Sequence, residues 1–170
     1  MINEVHGNEL YFAKLREDVK IPTKEVENGG YDIYANFEED YMVIPPHTTK
    51  MIPTGLCSAC SSDYVIILKE RGSTGTKGIA QRCGVIDSGY RGEWFVPLTN
   101  TTSSSIIIAK SNMELSDGLA EENIIYPYEK AICQAMILPV PTMDVKVIDA
   151  EELQAIPSKR GQGKLGSSLK

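Results

Sequence analysis

Short apolar runs rich in Val and Ile, cut at close intervals by turn residues, constrain this chain more than any other feature. They fall at residues 64–68, 94–98, 105–109, 131–140 and 145–148, and their length and composition favour strands over helices. Pro45-Pro46, Pro53-Thr54-Gly55, Gly89 and Asn100 punctuate the intervals, so the pattern specifies an all-β sandwich or barrel. One or two helical turns are expected around residues 74–80, and no internal repeat is visible.

With 42% of its 170 residues hydrophobic, the chain can bury one core, and the expected domain runs over residues 1–157. A segment at about 111–124 breaks the alternation with Glu114, Asp117, Glu121, Glu122 and Gly118, and reads as a surface excursion between two strands. From 158 to 170 the sequence is Ser, Lys, Arg, Gly and Gln with only Leu165 and Leu169 apolar, too little for a core. Such a stretch is either a dispensable end or an arm that orders on a ligand, and composition alone favours the first.

The net charge of −6 argues against a broad electrostatic footprint for nucleic acid, while a small anionic ligand in a local pocket stays open. The first residues lack a basic segment followed by an apolar one, and no apolar run nears the ~18 residues of a membrane span. We therefore expect a soluble cytoplasmic protein with no membrane partner. Cys57 and Cys60 have zinc-like spacing but no second pair, and His6 and His47 are the only histidines. With Cys83 and Cys133, they read as free thiols in a reducing compartment.

Three stretches carry candidate chemistry. The run from Gly84 to Gly92 (Gly-Val-Ile-Asp-Ser-Gly-Tyr-Arg-Gly) places a lone carboxylate, a ring and turn glycines after an apolar pair, which suits a strand leading into a ligand-gripping turn. Glu70-Arg71-Gly72-Ser73-Thr74-Gly75 and the run from Arg160 to Ser168 are glycine-rich and basic, which suggests a phosphate-bearing ligand. Taken singly, Asp87 reads better as a turn former, and Tyr90 reads also as a half-buried strand residue and 72–75 as an ordinary loop.

Gly30-Tyr31-Asp32-Ile33, Pro45-Pro46-His47, Pro53-Thr54-Gly55-Leu56, Leu98-Thr99-Asn100 and Ile132-Cys133-Gln134 complete a set of motifs. In order and spacing, over nearly the whole chain, the set resembles the trimeric all-β dUTP pyrophosphatases (dUTPases). The resemblance implies a jelly-roll (β-clip) subunit and a homotrimer with shared active sites and a flexible C-terminal arm. It also implies magnesium-dependent hydrolysis of dUTP to dUMP and pyrophosphate by attack of water on the α-phosphorus. That reaction limits uracil incorporation into DNA and supplies dUMP for dTMP synthesis.

By the same resemblance, Asp87 is the general base, and Asp32 lies beside a triphosphate whose Mg2+ is held mainly by phosphates and water, with no direct protein ligand. Arg71, Gly72, Ser73 and Gln134 take the phosphates. The hairpin from Gln81 through Gly84, Val85 and Ile86 supplies main-chain groups that match uracil and reject cytosine. Tyr90 lies under the deoxyribose and excludes a 2'-hydroxyl. Arg160, Gly163, Leu165, Gly166 and Ser167 belong to an arm that closes over the site of another subunit.

The chain departs from the family pattern in four places: Gly72-Ser73 stands for Ser-Gly, Gly89 for an acidic residue, Lys130-Ala131 for Asp-Arg and Leu165 for a stacking phenylalanine. Gly89 brings the chain nearer to the related dCTP deaminases, but Pro97 stands where those enzymes carry their glutamate, and proline transfers no proton. A second alternative is a catalytically weak, nucleotide-binding regulatory protein that meets a protein partner through residues 111–124.

Overall fold

The computed structural model describes residues 4–111 and 122–163. Among these, twelve strands and two short helices follow one another: β1 (Leu10–Lys14), β2 (Tyr31–Ile33), β3 (Tyr41–Ile44), β4 (Thr49–Pro53), β5 (Leu56–Cys60), β6 (Tyr64–Lys69), α1 (Gly72–Gly75), β7 (Ile79–Gln81), β8 (Val85–Ile86), β9 (Phe95–Asn100), β10 (Ile106–Ala109), β11 (Ile124–Pro127), β12 (Cys133–Pro139) and α2 (Ala150–Ala155). The expected all-β class is what the chain forms. No helix among the described residues is long and apolar enough to cross a membrane.

Hydrogen bonding assembles four small sheets, ordered β1-β5, β11-β10-β3, β2-β12-β6-β8 and β4-β9-β7. All pairings are antiparallel except β10 with β11. The strands alternate as half-buried strands should: β5 buries Leu56, Ser58 and Cys60 and turns Cys57 and Ala59 the other way. Residues three apart on a strand face opposite sides, so Cys57 and Cys60 do not converge on one metal ion; all four cysteines are free thiols. β10 is buried along its whole length, as its unbroken Ile106-Ile107-Ile108 run predicts. Ile33, Ile44, Ile52, Ile66, Leu68, Trp94, Val96, Leu98, Ile106 and Ile108 close the core.

Four of the five apolar runs form strands. Residues 145–148 do not: they lie in unpaired chain without regular structure, with Val145 and Val147 exposed. A strand exists only by pairing, and apolar alternation cannot supply the second edge. Of the one or two helical turns expected around 74–80, a single turn forms, and it lies earlier, at Gly72–Gly75. Ile79 pairs with Asn100 in the β7–β9 ladder, which claims the backbone that a longer helix needs.

One compact unit ends at Val140 and a second begins at Pro141. This division lies ahead of the compositional change at 157–158. Within the second unit α2 is capped by Asp149, whose carboxylate accepts the Glu152 N–H at 2.7 Å, and it buries no side chain.

Candidate active site

The first cluster forms where β2, β12 and the end of β6 meet. Register sets Asp32 opposite Gln134 and Gln134 opposite Lys69, so the loop after β6 comes to rest beside both polar side chains. Arg71 opens α1, and the Thr74 hydroxyl fixes it there by donating to the Arg71 carbonyl at 2.9 Å and accepting the Arg71 N–H at 3.2 Å. The guanidinium then grips Asp32 as a fork, with Nε 3.1 Å from Oδ1 and Nη2 3.3 Å from Oδ2. Its Nη1 donates to the Ala131 carbonyl at 3.4 Å. Gln134 is anchored by its own amide, which donates to the Glu70 carbonyl at 2.9 Å.

The result is an open concavity of about 360 Å³ lined by Asn28, Gly29, Gly30, Asp32, Arg71, Gly72, Ser73 and Gln134. One cation, loop N–H groups and an amide surround it, which is the donor set an oligophosphate needs. Gly72 and Ser73 are exposed to the opening. Beneath the floor, burial pushes the Cys133 thiol up to about 12 against the opposing pull of Arg71. The hydroxyl of buried Tyr126 donates to the Ala131 carbonyl at 2.6 Å.

The second cluster is the hairpin between β7 and β8 and the turn that follows. Gly84 has φ +119° and its carbonyl accepts the Leu68 N–H at 2.7 Å; a Cβ there would stand 2.7 Å from the Leu68 oxygen. The position therefore requires glycine twice over, by conformation and by space. Gln81 folds its amide back onto the Arg82 carbonyl at 2.5 Å, and its N–H is held by the Glu70 carboxylate at 3.1 Å. Pairing of Ile66 with Ile86 and Ile67 with Val85 turns Ile86 inward and leaves Val85 exposed.

Asp87 comes next, and its carbonyl accepts the Tyr90 N–H at 3.0 Å to close the turn. The Asp87 side chain is exposed, and no hydrogen bond or ion pair to another described residue engages it. The Tyr90 hydroxyl donates to the Glu93 carbonyl at 3.0 Å, and its ring lies so close over Gly92 that a Cβ there would sit 2.4 Å from the hydroxyl. Arg91 fastens the turn to β5 by donating to the carbonyls of Ser88 at 2.6 Å and Ser58 at 3.3 Å. Met51, Val85, Ile86, Asp87, Tyr90, Glu93 and Phe95 line a concavity of about 260 Å³, with exposed apolar walls and one free carboxylate.

The chain thus brings Asp32, Arg71, Gly72, Ser73 and Gln134 together, and separately Val85, Ile86, Asp87 and Tyr90 with the hairpin residues Gln81 and Gly84. The two concavities share no lining residue. Arg160 and Gly163 lie in the second unit, where the Arg160 Nε donates to the Gly163 carbonyl at 3.3 Å and the Ser158 hydroxyl accepts the Gly161 N–H at 3.2 Å. Leu165, Gly166 and Ser167 lie outside the described residues, as does most of the 111–124 excursion. Sequence reasoning gave Glu70 and Arg91 no role within their motifs and passed over Tyr126; their partners are distant in the chain or are carbonyls that no motif records.

Pro97 is buried in β9 and offers only its carbonyl, which accepts the Arg82 N–H at 2.9 Å. Glu93 is committed elsewhere: its carboxylate holds Arg16 at 3.0 Å and the Gly55 N–H at 2.7 Å. Among the described residues no group of three or more His, Cys, Asp or Glu side chains could hold a metal ion.

A dUTPase family model matches residues 17–112. The chain is 34% identical over 103 residues to a deoxyuridine 5'-triphosphate nucleotidohydrolase of Leptospira interrogans, covering 58% of this chain and 70% of that protein. It is 30% identical to the enzyme of the same name from Nautilia profundicola, over 95% of this chain and 99% of that one. Among solved structures it is similar to the Staphylococcus bacteriophage 80alpha dUTPase with dUPNHPP, with a TM-score of 0.74 and 22% identity, covering 95% of this chain and 98% of that one.

Proposed function

This chain belongs to the dUTPase family, and we propose that its two concavities are halves of one active site, completed between copies of the chain in a homotrimer. It is a dUTP diphosphatase, hydrolysing dUTP to dUMP and pyrophosphate. What carries the composite reading is the separation just described: the oligophosphate donors and the exposed carboxylate lie in different hollows with no lining residue in common. Each hollow holds only half of what the reaction requires.

In the completed site, the hairpin from Gln81 to Ile86 presents fixed main-chain groups to uracil, and Tyr90 carries the deoxyribose on its ring. Arg71, the N–H groups of Gly72 and Ser73, and the Gln134 amide hold the triphosphate in line. Asp87 takes a proton from water as the water oxygen bonds to the α-phosphorus. The bond from that phosphorus to the bridging oxygen of the β-phosphate breaks, and pyrophosphate leaves with the electron pair. An exposed carboxylate with no competing partner is suited to that acceptor role. Arg160 and the glycines around it reach the phosphates from the arm of another copy and close the site.

The donor set fits magnesium carried in on the substrate. Among the described residues Asp32 is the only carboxylate lining the phosphate concavity, and it is already forked to Arg71, which leaves metal coordination mainly to phosphate oxygens and water. Bound in this way, Mg2+ would neutralise part of the triphosphate charge. Asp32 orients Arg71 beside it.

Incubation with magnesium and dUTP, dTTP, UTP or dCTP separately, following pyrophosphate and ammonia together, tests the specificity assigned to Tyr90 and the hairpin. Pyrophosphate from dUTP alone is expected. Comparable release from UTP would remove Tyr90 from its role, and ammonia from dCTP would establish a deaminase.

A further inference from the structure

Tyr126 is a buried titratable side chain that the reaction just described does not use. Its ring sits at 1% exposure on β11, paired in register with Ile108 of β10. An apolar side chain would fill such a position without the cost of desolvating a hydroxyl. The hydroxyl has work to do: it donates to the Ala131 carbonyl at 2.6 Å. That same oxygen accepts from Arg71 Nη1 at 3.4 Å, while Nε and Nη2 of the guanidinium are held by Asp32 at 3.1 and 3.3 Å.

The Ala131 carbonyl is therefore a joint between the core and the phosphate concavity. At 3.4 Å the Arg71 bond is too long to fix the peptide by itself, whereas the Tyr126 bond is short and shielded from water. Burial pushes the Tyr126 hydroxyl above its ordinary value, opposed by Ser73 and Arg71, so it remains a donor at every pH at which the enzyme would work. Arg71, Asp32 and Ser73, three side chains of the concavity wall, act electrostatically on this hydroxyl.

We propose that Tyr126 is a positioning residue for phosphate binding: its hydroxyl fixes the Ala131 carbonyl, which with Asp32 sets the plane of the Arg71 guanidinium. The N–H groups of Arg71 left over by these two acceptors are then aimed into the opening before substrate arrives. This inference rests on reading the concavity as the phosphate half of the site.

The test is a double-mutant cycle on the full chain: Tyr126→Phe, Arg71→Ala and the pair, with binding of the non-hydrolysable imido analogue of dUTP plus magnesium and the thermal midpoint measured for each. Tyr126→Phe keeps the ring and is expected to weaken binding about fivefold, the scale of one lost hydrogen bond. In the Arg71→Ala background the same change is expected to matter less than about twofold, because the residue it positions is gone. Equal losses in both backgrounds, with or without a lower thermal midpoint, would assign Tyr126 to packing and overturn the inference. Undiminished binding by Tyr126→Phe beside a weakened Arg71→Ala would overturn it alone, and undiminished binding by Arg71→Ala would take down the phosphate reading itself.

Discussion

At the scale of single residues, the site separates groups that act from groups that hold. Asp87→Asn keeps the shape of the turn and removes the proposed proton acceptor. Turnover of dUTP is expected to fall roughly a hundredfold or more, with analogue binding little changed; steady-state kinetics beside equilibrium binding will check this. Gly92→Ala forces a Cβ to within 2.4 Å of the Tyr90 hydroxyl, so the ring must move. The preference for dUTP over UTP, as a ratio of kcat/KM, is expected to drop about tenfold or more. Asp32, Arg71 and Gln134 are legible in the sequence because each sits in a short motif of its own. Tyr126 is not, because its role is a bond to a carbonyl, and carbonyls leave no trace in residue identity. Burial also gives Cys133 a testable signature. Its thiol is raised from 9.0 to about 12, so the folded state keeps a proton that the unfolded chain releases above pH 9.0. This contribution to stability is full below that pH and falls by about 1.4 kcal/mol per pH unit as the pH rises toward the folded value. Urea unfolding between pH 8 and 11 should show a shallower alkaline decline for Cys133→Ala than for the parent.

At the scale of elements, the proposed function makes its strongest demands on the hairpin at 81–86 and on the arm at 158–170. Gly84→Ala meets both a positive φ and the Leu68 oxygen, so β6 and the hairpin cannot both keep their places. A loss of roughly 2 kcal/mol in stability with a raised KM for dUTP is expected from thermal melts and kinetics. Deleting residues 159–170 should reduce kcat/KM sharply while leaving the melting of the β unit unchanged, and full activity would make the arm dispensable. The strands of the core can be read from alternation because both of their faces are determined locally. Residues 145–148 alternate equally well and form no strand, since alternation describes a surface and not the edge that must pair with it. The helical turn at 72–75 ends before the stretch the local sequence favours for a related reason: the ladder from Ile79 to Asn100, far apart in sequence, decides where the helix must stop.

At the scale of the whole molecule, the proposed arrangement has one copy supply Asp87 and another supply Arg71, and membership of the dUTPase family and the two separate hollows on one chain both favour it. Motif order points to the family but not to this division of labour, because a list of motifs does not say which of them meet within one chain. Chains carrying Asp87→Asn and chains carrying Arg71→Ala, each crippled alone, can be co-expressed with different tags and purified through both. Hydrolysis of dUTP by the mixed oligomers is the most direct test. The account predicts recovered activity, with roughly one site in three in a mixed trimer built from two intact halves; mixed oligomers as inactive as either parent would contradict it.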